Sequence, residues 1–180
     1  MPASSPSTTL YTLGKGVLSI GEWSGTTPPV SLTDVGNAPR FEVEVVEDRL
    51  THYTSRSDTR LKDKIVTIEV GYNLSFDLDE VSVLNLKMFL KATLSGSNVL
   101  FAATALNREY QVQFVTDNPV GPNQEWDFWR CQLSPGSSLN LISDDWEMMS
   151  FTGEGLADRA NHATSPYFTV TYETTTTTTT

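Results

Sequence analysis

Few residues in this sequence have the type and spacing that catalysis requires. Its two histidines, His52 and His162, lie in polar stretches, and it has a single cysteine, Cys131. A serine or cysteine nucleophile needs a base in contact with it. No G-x-S-x-G elbow is present, and surface histidines with a buried cysteine are the simpler account. Gly14-Lys15-Gly16 with Gly21 matches neither common phosphate-binding loop, and reads better as glycine where a strand bends or passes close to another chain. Asp77-x-Asp79-Glu80 offers oxygen ligands for calcium but lacks the EF-hand loop and its central glycine, so capping of a helix is the better explanation. Asp144-Asp145 could serve glycoside hydrolysis, although neighbouring residues in a strand point to opposite faces. Trp126, Phe128 and Trp129, with Trp23 and Trp146 elsewhere, could form a sugar platform, but a core or a subunit interface uses such residues more often. No catalytic residue, metal site or cofactor is expected.

The elements behind these residues follow a period of two. Phe41, Val43 and Val45 alternate with Glu42 and Glu44. From Lys64 to Asp77, Val66, Ile68, Val70, Tyr72, Leu74 and Phe76 share one face, and Thr67, Glu69, Gly71, Asn73 and Ser75 the other. This predicts a long half-buried strand with a bend at Gly71. Tyr110, Val112 and Phe114 alternate with glutamate and glutamine, and further strands are expected over 13–21, 125–133, 146–153 and 167–172. Turn residues separate them at Gly25–Pro29, Asp117–Asn123 and Ser134–Gly136. One helix is expected over 79–92, opened by the acids Asp77, Asp79 and Glu80. The segment 47–63 is polar, lacks a clean period and reads as a long loop. An arm over 1–9 and the threonine tail 174–180 flank one domain over 10–173.

The chain has 180 residues, enough for one core without disulfide staples. Twelve Lys and Arg stand against 22 Asp and Glu, a net charge of −10. That balance argues against gripping nucleic acid by charge attraction. No run is long and apolar enough to span a membrane, and the first nine residues have no signal-peptide core.

Several stretches together resemble the major tail tube protein of long, non-contractile-tailed bacteriophages of the siphovirus type. They are Leu13-Gly14-Lys15-Gly16-Val17-Leu18, Leu50-Thr51-His52-Tyr53-Thr54-Ser55 and Lys62-Asp63-Lys64-Ile65-Val66. Asp79–Leu86, Phe151–Asp158 and Tyr167–Val170 extend the likeness over residues 10–173. The resemblance implies a mainly β, sandwich or half-barrel fold with one short flanking helix. It implies hexameric rings whose inner sheets join into a continuous barrel. It also implies a structural virion protein rather than an enzyme, made in the bacterial cytoplasm. Its partners would be copies of itself, a tape-measure protein, a tail terminator and distal tail proteins, with double-stranded DNA in transient passage and no membrane.

The implied dimensions are consistent with that role. Roughly 24 strands per ring at ~4.8 Å spacing and ~40° tilt give a backbone diameter near 48 Å, and about 38 Å after side chains. Duplex DNA carries a charge every ~1.7 Å, so an acidic or neutral wall keeps it mobile where a basic wall would hold it. Glu42, Glu44 and Glu69 are the lumen candidates. Arg49, His52, Tyr53, Arg56, Arg60 and Lys62 are expected to reach a neighbouring subunit, and Asp144, Asp145, Glu147, Glu154 and Asp158 to form the acidic surface that receives them. A carbohydrate-binding or hydrolytic β-sandwich using Trp126, Trp129 and Asp144/Asp145 is the alternative.

Overall fold

The structure, a computed structural model, describes residue 6 and residues 8–56 and 58–173. The threonine tail, and all of the arm except residues 6, 8 and 9, lie outside the described residues. The strands are β1 (Gly16–Glu22), β2 (Thr33–Asp34), β3 (Arg40–Tyr53), β4 (Lys62–Leu78), β5 (Thr93–Ser95), β6 (Val99–Phe101), β7 (Tyr110–Thr116), β8 (Gln124–Pro135), β9 (Met149–Gly155) and β10 (Phe168–Tyr172). One helix, α1, spans Val83–Phe89.

The fold is mainly β. An eight-stranded antiparallel sheet runs β2-β1-β7-β8-β9-β4-β3, with β10 paired to the first half of β8, and β5 and β6 form a separate small hairpin. The sheet curls until β3 approaches β7, where the Phe41 and Phe114 rings stack at 5.0 Å. Phe41 also meets Phe128 edge-on, and Tyr72 packs on Phe128 and Phe168. The core lies inside this curl: Leu18 and Ile20 of β1, Tyr72 to Leu78 at alternate positions of β4, Val112 of β7, Phe128 and Leu133 of β8, and Met149 and Phe151 of β9. The register of β8 against β7 slips opposite Tyr110–Val112. The slip lets both Phe128 and Cys131 point inward although they differ in parity.

Helix α1 starts later than the acids at 77–80 suggest. Asp77 and Leu78 still belong to β4, and Arg40 Nε donates to Asp77 at 2.7 Å across the β3–β4 pair. Asp79 and Glu80 hold the loop before β3, accepting from the Asn37 side chain and from the Asn37 backbone amide respectively. The cap is Ser82, whose hydroxyl accepts from the Asn85 amide at 3.1 Å. Phe89 packs edge-on against Phe151, and Lys87 reaches Glu22 of β1 at 2.7 Å, so the helix closes one end of the curl.

The segment expected as a loop over 47–63 is mostly strand. β3 and β4 pair from Arg40↔Asp77 out to Tyr53↔Lys62, leaving only 54–61 as the connection. Residues 47–53 of β3 are exposed and carry polar side chains on both faces, which hides the strand from a period-two reading. Gly71 lies within continuous strand, and the irregularity falls farther along β4, where Ile68 is the extra residue between the Asp48↔Glu69 and Arg49↔Thr67 pairs.

Candidate functional site

Two features stand out once the side chains are placed, and the first is a polar wall. The faces of β3, β4, β9 and β8 that point away from the core align in rows across four strands. Glu42 pairs with Ser75, Ser75 with Thr152 and Thr152 with Ser134. One step along, Glu44 pairs with Asn73, Asn73 with Glu154 and Glu154 with Gln132. These residues line one open groove. The period of two makes the wall: each of these strands sends its alternate residues, Leu74, Phe76, Leu133 and Phe151, into the core. Arg40, bound to Glu42 at 3.1 Å and to Asp77, and Lys91, donating to Ser134 at 3.1 Å, are the cations that touch it. The Arg40 hydrogen bond is the main reason the Asp77 carboxyl is held below its ordinary range. Glu69 has the same parity as Asn73 and lies farther out on β4, opposite Asp48. Glu42, Glu44 and Glu69 therefore share one face of the hairpin. Thr152, Gln132 and Ser134 complete the wall. They were not recognisable from the sequence, because only register shows that β8 and β9 neighbour β4.

The second feature is the outer half of the β3–β4 hairpin. Strand β9 pairs with β4 only over Asn73–Leu78. The last tie to the body is the Tyr167 hydroxyl donating to the Val70 carbonyl at 2.7 Å. From Val70 to Lys62, at about 3.3 Å per residue, the ribbon extends ~26 Å farther. Along this outer half Leu50, Val66, Ile68 and Val70 are exposed, with Leu50 at 64%. Val70, opposite Glu47, continues the core side, Leu50 and Val66 pair on the side of Glu42 and Glu44, and Ile68 is the unpaired residue at the register shift. The alternation at 66–70 suggested burial, but among the described residues no strand other than β3 pairs with this part of β4.

The basic residues expected on this segment are here. Arg49 pairs with Glu47 at 2.5 Å, His52 Nδ1 sits 2.6 Å from Asp63, and the Arg60 guanidinium lies 5.5 Å from the centre of the Tyr53 ring. Among the described residues, Arg56, Lys62 and Lys64 make no ion pair.

The expected acidic surface does not hold together. Asp144 and Asp145 are exposed in the loop between β8 and β9, with Glu147 half-buried beside them. Glu154 belongs to the polar wall. Asp158 is 3% exposed and unavailable to a partner. Its carboxylate accepts from Asn161 Nδ2 at 3.0 Å and lies 2.9 Å from His162 Nδ1. Burial alone would raise this carboxyl, but the hydrogen bonds from His162 and Asn161 outweigh it and hold it low.

The residues considered for chemistry have other work. Burial pushes the Cys131 thiol up, and it donates to the Tyr110 carbonyl at 3.4 Å. His162 stacks on Trp129 at 3.7 Å, and Trp126 packs with Phe128 and Phe168, so the two tryptophans form no shared platform. Trp146 precedes β9 instead of opening it and stands 94% exposed. Among the described residues no three His, Cys, Asp or Glu side chains converge to hold a metal, and no helix is long and apolar enough to cross a membrane.

A family model described as "Protein of unknown function UCP028589" matches residues 11–99 and 93–171. No curated protein matches the chain. Among solved structures, the sheath–tube complex of an extracellular contractile injection system, PVC, in its extended state is similar at 8% identity and a TM-score of 0.39, covering 95% of each chain. The tube-terminating cap of the anti-feeding prophage is similar at 7% identity and a TM-score of 0.42, covering 96% of this chain and 99% of that one.

Proposed function

The chain belongs to the UCP028589 family, and we propose that this member is a structural tail tube subunit of the siphovirus type, without enzymatic activity. Copies assemble into hexameric rings, the rings stack, and the bore conducts double-stranded DNA from capsid to host. One observation carries this reading: the long hairpin extends past its own body with aliphatic side chains uncovered along it. A two-stranded ribbon is marginally stable alone in water, and an exposed apolar strand pair invites association. Burying a large aliphatic side chain contributes about 1.5–3 kcal/mol, so Leu50, Val66, Ile68 and Val70 supply a substantial drive to join a second copy. The sheet also ends in β3, whose outer edge has no partner strand among the described residues.

In this arrangement the four-strand wall bearing Glu42, Glu44 and Glu154 faces the bore, and Glu69 extends it along the hairpin. Its carboxylates and hydroxyls keep a hydrated layer between protein and phosphate. The tape-measure protein occupies the bore before DNA, and the terminator and distal tail proteins cap its ends. The test is electron microscopy of the concentrated full chain. Rings or tubes with a central channel are expected, and a monodisperse monomer under all assembly conditions would refute the reading.

A further inference from the structure

We propose that the loop between β8 and β9, residues 137–148, is the dock for the hairpin of a second copy stacked along the strand axis. This rests on the tube reading and names the surface that reading requires.

The loop is built to be covered. Leu141, Ile142 and Trp146 are 76%, 93% and 94% exposed, while Leu139 anchors the loop by packing on the core. Asp144, Asp145 and Glu147 are its charges, with no cation between Ser137 and Met148. Among the described residues these three carboxylates make no ion pair. The hairpin tip has the complementary character. It carries Arg56, Arg60, Lys62 and Lys64 against Asp58 and Asp63, beside exposed Leu50, Leu61 and Val66. Each surface combines exposed apolar side chains with charge, and their net charges are opposite in sign.

Register shows why these surfaces meet only between copies. Met149, where the loop ends, pairs with Leu78 at one end of β4, and the hairpin tip begins at Lys62 at the other. At about 3.3 Å per residue the two ends of β4 are ~53 Å apart. Dock and hairpin therefore sit at opposite ends of the subunit. Two unlike surfaces at opposite ends make a heterologous contact, which repeats head to tail instead of closing into a dimer. Stacked layers are the natural product.

The test mixes two separately tagged full chains, one carrying Arg60→Cys and the other Asp145→Cys, under mild oxidation. The native Cys131 is fully buried and does not interfere. A disulfide joining the two tags is expected, with little linking in either chain alone. Trp146→Ser is expected to raise the concentration needed for assembly at least ~10-fold while the monomer stays folded, as removal of a central aromatic anchor does. Rings or tubes that form without the mixed cross-link, and with Trp146→Ser at wild-type threshold, would overturn the dock and leave the tube reading standing. A wild-type chain that never assembles would overturn both.

Discussion

At the scale of residues, the groups that looked chemical are structural, and their environments say why. The Tyr72 hydroxyl donates to the Arg130 carbonyl at 2.9 Å, and burial pushes its phenol above the ordinary value. A Cβ on Gly155 would overlap the Tyr72 ring. Gly155→Ala should therefore cost about 1–3 kcal/mol by overpacking, read as a lower urea midpoint. Asp158 and Asp77 make a pH prediction. Each is held low in the folded state, so the unfolded chain binds more protons in acid. Their stabilisation is complete above the unfolded value near pH 4 and is lost as pH falls through the lower folded value. Tm should be flat between about pH 5 and 7 and fall below about pH 4. Asp158→Asn should lower stability at neutral pH by about 2 kcal/mol and flatten part of the acid limb, because its charged hydrogen bonds are gone at every pH. A parallel acid limb in this variant would remove Asp158 from the account. None of this was legible in the sequence: Asp158 read as a surface acid because its partners, Asn161 and His162, look equally polar.

At the scale of elements, alternation revealed the strands whose apolar face meets a neighbour. Phe41 and Val43, and Tyr72, Leu74 and Phe76, pack where their period places them, while Val45 of the same alternation is exposed. It failed on 47–53, where polar residues occupy both faces and the apolar residues, Leu50 and Tyr53, are exposed. Alternation records that a face is apolar and carries no information on what covers it. The helix boundary shows a related limit. Asp77, Asp79 and Glu80 are good capping residues by type, yet each is engaged elsewhere, by Arg40 and Asn37. Ser82→Ala should cost about 1 kcal/mol, measured by chemical denaturation, while Asp79→Ala should leave α1 intact by circular dichroism. The hairpin gives the sharper expectation. Arg60→Glu should impair polymerisation in sedimentation, with the monomer's melting unchanged within about 0.5 kcal/mol. Normal tubes from this variant would remove the tip from the assembly contact.

At the scale of the whole molecule, the excess of acid acquires a place. The wall carries Glu42, Glu44 and Glu154, and the cations that touch it, Arg40 and Lys91, are engaged with Glu42, Asp77 and Ser134. In the proposed tube, a bore lined by many copies of this wall would repel phosphate instead of exchanging counterions with it, so duplex DNA would move through without being held. Sequence alone suggested Glu42 and Glu44, with Glu69, for such a wall and put Glu154 on a surface meeting a neighbour, since rows across β3, β4, β9 and β8 exist only once the strand order is known. Reversing Glu42, Glu44 and Glu154 to lysine replaces three repelling groups per subunit with three that attract. The side chains point away from the core, so the fold and the rings should survive. Variant tubes should retain duplex DNA at low salt and release it as salt rises, losing roughly 10³-fold in affinity between about 50 and 200 mM. Wild-type tubes should show no retention at either. The same reversal at Asp144 and Asp145 should instead affect assembly, which separates wall from contact. Retention unchanged by the triple substitution, in tubes of normal form, would mean that this face looks outward and another lines the bore.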